Sequence, residues 1–283
     1  MLNKARMNIR FLLTREFIFV IYLAAFISYT SNVLAFDFNY YIEQGDKYYC
    51  KFDNLDAIRE YKKAYQLSPN GFDVLSKLAN AYNDYGEDLK DSNSDGAETY
   101  FEDAIKYAEI LKNKFPARAE SYFLVASAYG NLALYKGGRD KVRLARNLEK
   151  YAKKAIEIDP TFAPSYVVLG IYYRETATLN VVEKTFATAF LGGLPVGSLN
   201  DSVRVLLKAE ELSPNSIYPH FELAETYEKL NDEDKAIVEY RKVLELPVSD
   251  HQDKMKKQKA DNRIIKLENS KMAKSVRYHY LAN

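Results

Sequence analysis

Cysteine occurs once, at Cys50, and tryptophan not at all. A single cysteine excludes a disulfide framework within the chain. Eleven glycines and eight prolines in 283 residues are few for an all-β chain with its many turns. No excess of charge of one sign exists either: 40 Lys and Arg balance 39 Asp and Glu, for a formal +1. No global field therefore favours nucleic acid or a membrane surface, and no nucleic-acid partner is expected. The three histidines, His220, His251 and His279, stand in no H-E-x-x-H or other metal spacing. Phosphate-loop and dinucleotide fingerprints are missing. These absences predict a chain that is not an enzyme and has no cofactor and no metal.

Long hydrophobic runs are also scarce. Phe17 to Ile27 is an apolar run of eleven, preceded by Lys4, Arg6, Arg10 and Arg15 and followed by Val33, Leu34 and Ala35. A spanning helix needs about 20 apolar residues. The layout predicts a signal peptide over 1–35, cut after Ala35, and hence a periplasmic or secreted chain. The alternative is a membrane anchor over 17–35, and membrane contact is expected only if that segment is retained.

What is present is a repeat. Five segments carry bulky-x2-Leu-small-x2-Tyr spacing. They centre on Tyr41, Gln44, Gly45 and Tyr48, then Leu75, Leu78, Ala79 and Tyr82, then Tyr122, Val125, Ala126 and Tyr129. The last two centre on Tyr166, Leu169, Gly170 and Tyr173, and on His220, Leu223, Ala224 and Tyr227. Spacings of three and four put these residues on one helical face. Each segment is followed by a second pattern ending in proline. Ala57, Tyr61, Ala64 and Pro69 match fully; Ala104, Ala108, Leu111 and Pro116 keep the spacing. So do Leu148, Ala152, Ala155 and Pro160, and Ser202, Leu206, Ala209 and Pro214; Ala236, Tyr240 and Val243 precede Pro247. The prediction is an all-α tetratricopeptide-type helical-hairpin solenoid of five pairs. A capping helix from Asp250 to about Met272, with Met255, Ala260, Ile264, Ile265 and Leu267 as its apolar stripe, should cover the last pair. The domain is expected over 36–270 and a tail over 271–283.

The pairs are unequal. From the last Tyr of a first helix to the first small residue of its partner takes nine residues in the outer pairs, and 22, 19 and 29 in the inner three. All three enlargements fall in the turn within a pair and should share one rim. The first, near 83–98, carries Asp84, Glu87, Asp88, Asp91 and Asp95 and reads as a solvated loop; the ordered spacing of a calcium loop is missing. The second carries Lys136, Arg139, Lys141, Arg143 and Arg146 around Gly137-Gly138. Cations at a helix start oppose its dipole. Either the acidic enlargement pairs with them, or Arg139, Lys141 and Arg143 form an anion patch. The third holds Leu179, Val182, Phe186, Ala189 and Phe190 at helical spacing, then Gly192-Gly193, Pro195 and a capping box at Ser198 and Asp201. It predicts a packed helix across the open edge of its neighbours.

The strings "EKYAKKAIEIDPTFAPSYVVLG", "VVEKTFATAFLGGLPVGSLNDSVRVLLKAEELSPN" and "ELPVSD" resemble the regulator of microtubule dynamics family and its bacterial relatives. The resemblance spans about residues 120 to 267. It implies an α-helical interaction protein without a known active site, and microtubule contact in animal members. A secreted chain meets no microtubules, so the fold is carried over and the microtubule role is not. The expected function is a scaffold for protein or peptide on the concave face. First-helix residues off the packing face line it: Asn80, Asn83, Ser127, Asn131, Arg174, Glu175, Glu225 and Glu228. The alternative is a small-ligand-binding, transport-associated protein with residues 179–197 closing a pocket.

Overall fold

The computed structural model describes residues 37–92, 95–191, 197–249 and 251–281. The expected signal segment lies outside them, as do Gly192, Gly193 and Pro195. The helices are α1 (37–49), α2 (Asn54–Leu67), α3 (Phe72–Asp91), α4 (Ala97–Lys114), α5 (Ala119–Lys136) and α6 (Gly138–Ile158). They continue with α7 (Ala163–Ala177), α8 (Val181–Leu191), α9 (Leu199–Leu212), α10 (Ile217–Lys229), α11 (Glu233–Glu245) and α12 (His251–Leu281). No strand occurs among the described residues.

The repeat residues dictate the pairing. A methyl group built on Gly45 would meet the Tyr61 ring at 2.3 Å, and one on Gly170 would meet Leu206 Cγ at 2.5 Å. The backbones of α1 and α7 therefore approach α2 and α9 as closely as only glycine allows. Ala57, Ala64, Leu75, Leu78, Ala104, Ala108, Ala152, Ala155, Leu206 and Ala209 are fully enclosed. Hairpins α3–α4, α5–α6, α7–α9 and α10–α11 stack in order, and α12 closes on α11. Each proline follows directly on a helix C-cap, as at Ser68, Phe115, Asp159, Ser213 and Leu246. Proline cannot continue the helix.

Three expectations change. The first enlargement, expected as a solvated loop, is mostly extra helical turns of α3 and α4 among its described residues; the second breaks at Gly137 and opens α6 with its cations. Helices α3 to α6 have 20, 18, 18 and 21 residues, against 13 each for α10 and α11. The acidic run stays helical because Tyr85 and Leu89 prolong the apolar stripe: Tyr85 meets the Tyr100 ring at 4.6 Å, and Leu89 packs beside Ala97, Phe101 and Leu132. The third enlargement holds a helix, but α8 packs on α6 through Ala187 and half-buried Phe186 against Val142, joined by Leu179 from just before the helix. Val182, expected inside, is 64% exposed, and Val181 80%; the Phe190 side chain lies outside the described residues. Helix α12 runs past Met272 to Leu281, and Ile265 faces outward.

Local caps fix the ends of the insertion. Ser198 Oγ accepts from the Asp201 backbone N–H at 3.0 Å while Asp201 Oδ2 accepts from the Ser198 N–H at 3.1 Å. Asn180 and Glu183 form the same reciprocal pair at the start of α8, both bonds 2.9 Å.

Gly170→Ala should lower unfolding free energy by about 1–3 kcal/mol through overpacking against Leu206. Chemical denaturation of a double-mutant cycle checks this: in a Leu206→Ala background the Gly170→Ala loss should vanish. An undiminished loss would show that the helix contact is not its origin.

Candidate functional site

The inner helices α3, α5, α7 and α10, closed at one end by α12, enclose a groove of about 460 Å³. Asn80 and Asn83 reach it from α3, Ser127 and Asn131 from α5, Arg174 and Glu175 from α7, and Glu225 from α10. The structure thus brings seven of the eight expected residues to one cleft. Glu228 does not line it. It accepts from the Tyr240 hydroxyl at 2.7 Å and from Arg263 Nε at 2.8 Å, tying α10 to α11 and α12.

The groove has a polar side and a charged knot. Asn131 Nδ2 donates to Asn83 Oδ1 at 3.2 Å. Asn80 and Ser127 are half-buried, and their side chains have no partner among the described residues. Apolar walls come from Val167, Val168, Ile171 and Phe123.

The knot is Arg174, 5% exposed. Its Nη1 donates to Glu222 Oε2 at 2.7 Å and to the Glu222 carbonyl at 3.2 Å. Nη2 lies 3.0 Å from Glu225 Oε2 and Nε 3.5 Å from Glu175 Oε1. Lys141 in turn donates to Glu175 at 2.6 Å. Burial works against the Arg174 charge, but Glu222, Glu225 and Glu175 outweigh it and hold the group above its ordinary value. Burial also works against the Glu175 charge, and Lys141 outweighs it, so that carboxyl is held low. Burial and then the Glu222 charge push Glu225 up. The Arg174 donors are thus taken up inside the protein.

The basic enlargement is partnered within the chain as well. Lys136 donates to Glu98 at 2.5 Å and Arg143 to Asp140 at 2.8 Å, while Arg139 lies 5.6 Å from the Phe186 ring centre. Of the expected anion patch, Lys141 alone lines the groove.

Glu210, His220 and Glu239 bring ligand atoms within 4.8 Å of one another. Lys242 occupies the cation's place, 2.9 Å from Glu210 and 3.1 Å from Glu239. His220 Nδ1 is 2.8 Å from Glu239 Oε2 and Nε2 is 3.2 Å from the Pro214 carbonyl. With acceptors on both sides, the doubly protonated ring is favoured. Burial opposes that charge, but Glu239 overcomes it and raises the pKa.

Sequence reasoning missed Tyr49, Tyr218, Glu222, Gln252, Lys256 and Lys259, all of which line the groove. Lys256 and Lys259, three apart on the capping helix, were the readable signal.

The stacked hairpins with their concave cleft define a tetratricopeptide-type solenoid. A thermophilic tetratricopeptide-repeat protein from Thermus thermophilus superposes with a TM-score of 0.58 at 19% identity, over 79% of this chain and 98% of that one. Yeast Tom70 superposes with a TM-score of 0.51 at 17% identity, over 84% of this chain and 42% of that one. The model of the regulator of microtubule dynamics protein 1-3 family matches residues 41–268, and the chain belongs to that family. Mouse regulator of microtubule dynamics protein 3 is 30% identical over 50% of this chain and 30% of its own length. Human protein 2 is 23% identical over 72% and 49%, and mouse protein 1 is 27% identical over 71% and 68%. The chain therefore spans less than half of the first two relatives.

The relatives are regulators of microtubule dynamics, and microtubules are intracellular polymers. The expectation of a periplasmic or secreted chain is corrected on that finding. An apolar run behind basic residues reports hydrophobicity and not compartment. The expected anchor over 17–35 lies outside the described residues; among these, no helix is long and apolar enough to cross a membrane.

Arg174→Ala should cost about 3–5 kcal/mol, because it strands the buried Glu222 carboxylate without its cation; a urea denaturation midpoint reads it. The His220 ring, with a folded pKa above the ordinary 6.5, contributes stability in full below that pH and loses it as pH rises through the folded value. Midpoints measured from pH 6 to 8.5 should decline for the wild type, and His220→Gln should flatten that decline.

Proposed function

We propose that the chain is a non-catalytic scaffold that holds an extended segment of a partner protein in the concave groove. The observation that carries this is the placing of Asn80 and Ser127: half-buried, unpartnered, on adjacent inner helices, beside the Asn83–Asn131 pair. An extended segment presents backbone N–H and C=O groups that need partners once out of water. An Asn amide offers donors and an acceptor together, and a Ser hydroxyl offers one donor and two acceptor sites. The apolar walls take up side chains between those contacts.

Arg174, Glu175 and Glu225 act here as the rigid floor that fixes α7 against α10. Balanced charge and a cleft without a basic stripe give no footing for nucleic acid. The described stack works as one domain in this reading. The relatives' names attach them to microtubule regulation; a scaffold of this kind would serve such a role by holding a partner and not by chemistry. The small-ligand alternative draws little support from the insertion, since among the described residues of 179–197 the groove lining takes only Leu179.

The test is to pan a phage-displayed random dodecapeptide library on the full chain and measure selected peptides by fluorescence anisotropy. Asn80→Ala combined with Ser127→Ala should weaken them about tenfold, as two lost hydrogen bonds would, with the melting temperature unchanged. Peptides that bind this variant as well as wild type would remove the groove from the proposal.

A further inference from the structure

Two cations along the groove, Arg174 and Lys141, are already bonded to carboxylates. Lys256 on α12 is different. Its side chain is half-buried, and its ammonium sits 4.1 Å from the centre of the Tyr218 ring and 5.6 Å from that of Phe221. No carboxylate is bonded to it among the described residues. Glu225 lies within its field, but that carboxylate is bonded to Arg174 at 3.0 Å. Aromatic faces hold a cation in position without neutralising it. Lys259, three residues on, lines the groove from the same face of α12.

Charge is therefore uneven along the cleft. At the α12 end Lys141, Arg174, Lys256 and Lys259 face the three carboxylates around Arg174. At the α3 end Asp84 and Glu87 face Lys90. The geometry points to a partner segment that is acidic where it meets α12, with one of its carboxylates accepting a hydrogen bond from Lys256 Nζ. This rests on the groove being the peptide site. A charge-assisted bond at a position shielded by two rings is stronger than the same pair in open water. It also sets the direction in which the segment lies, because reversing it would bring its acidic end against Asp84 and Glu87.

The same dodecapeptide library, panned in parallel on wild type and on Lys256→Glu, decides the matter. Wild type should enrich Asp and Glu, and the charge-reversed variant should enrich Lys and Arg. The best acidic peptide should lose about tenfold or more in affinity to Lys256→Met, which keeps the stem packed on Tyr218, and its binding should become less sensitive to salt. A pool without acidic bias, or an acidic bias that survives Lys256→Glu, overturns this inference and leaves the groove standing. Failure to enrich any peptide, or binding indifferent to the Asn80→Ala, Ser127→Ala pair, overturns the groove reading and this inference with it.

Discussion

The distance between the two helices of each hairpin is the constraint from which the rest follows. Where α7 meets α9, the backbone at Gly170 comes so near Leu206 that a single methyl group has no room. The same holds for Gly45 against Tyr61 in the first hairpin. Such contacts set how far apart the inner helices lie, and so how wide the cleft between them is. Gly45 and Gly170 are thus part of the groove's geometry without lining it, and the Gly170 carbonyl also accepts from Ser202 Oγ at 2.8 Å. Tyr61 adds a bond from its hydroxyl to Asp46 at 2.6 Å, and Asp46 also takes Lys77 of the next hairpin at 2.7 Å. One side chain in this way links the closeness within a pair to the stacking between pairs.

Much of this was legible in the spacing of tyrosines, small residues and prolines, because each has one physical task repeated at a fixed interval. The inner helices and their groove-facing side chains came out of the same periodicity. What periodicity cannot show is who bonds to whom. Arg174 and Glu228 look alike from the chain, as charged residues off the packing face. In the fold one is enclosed by three carboxylates from two helices, and the other is locked by Tyr240 and Arg263. Lys256 was missed for a related reason: its role depends on Tyr218 and Phe221, 38 and 35 residues earlier in the chain. The compartment was not legible, because the apolar run from Phe17 to Ile27 has a composition that suits more than one fate.

The acidic enlargement shows how charge density misleads. Asp84, Glu87 and Asp88 suggested a loop, yet they lie three and four apart, which keeps them half-buried on one side of a helix whose other side is Tyr82, Tyr85 and Leu89. Tyr49 and Asn54 reach across from the neighbouring hairpin to bond Asp84 at 2.5 Å and Asp88 at 2.8 Å. The acidic face is thereby also an interface.

The reversal between α5 and α6 takes a single residue, Gly137, before the next helix begins at Gly138, and both adopt left-handed backbone angles, φ of 65° and 51°. Open space surrounds both positions, so handedness and not crowding keeps side chains out. An elbow this tight cannot absorb an odd residue on one arm without turning that arm's buried stripe outward. Growth of this arm pair is therefore quantised: both members must gain matched turns of about 5.4 Å, which makes the height of the rim above the groove a stepwise quantity.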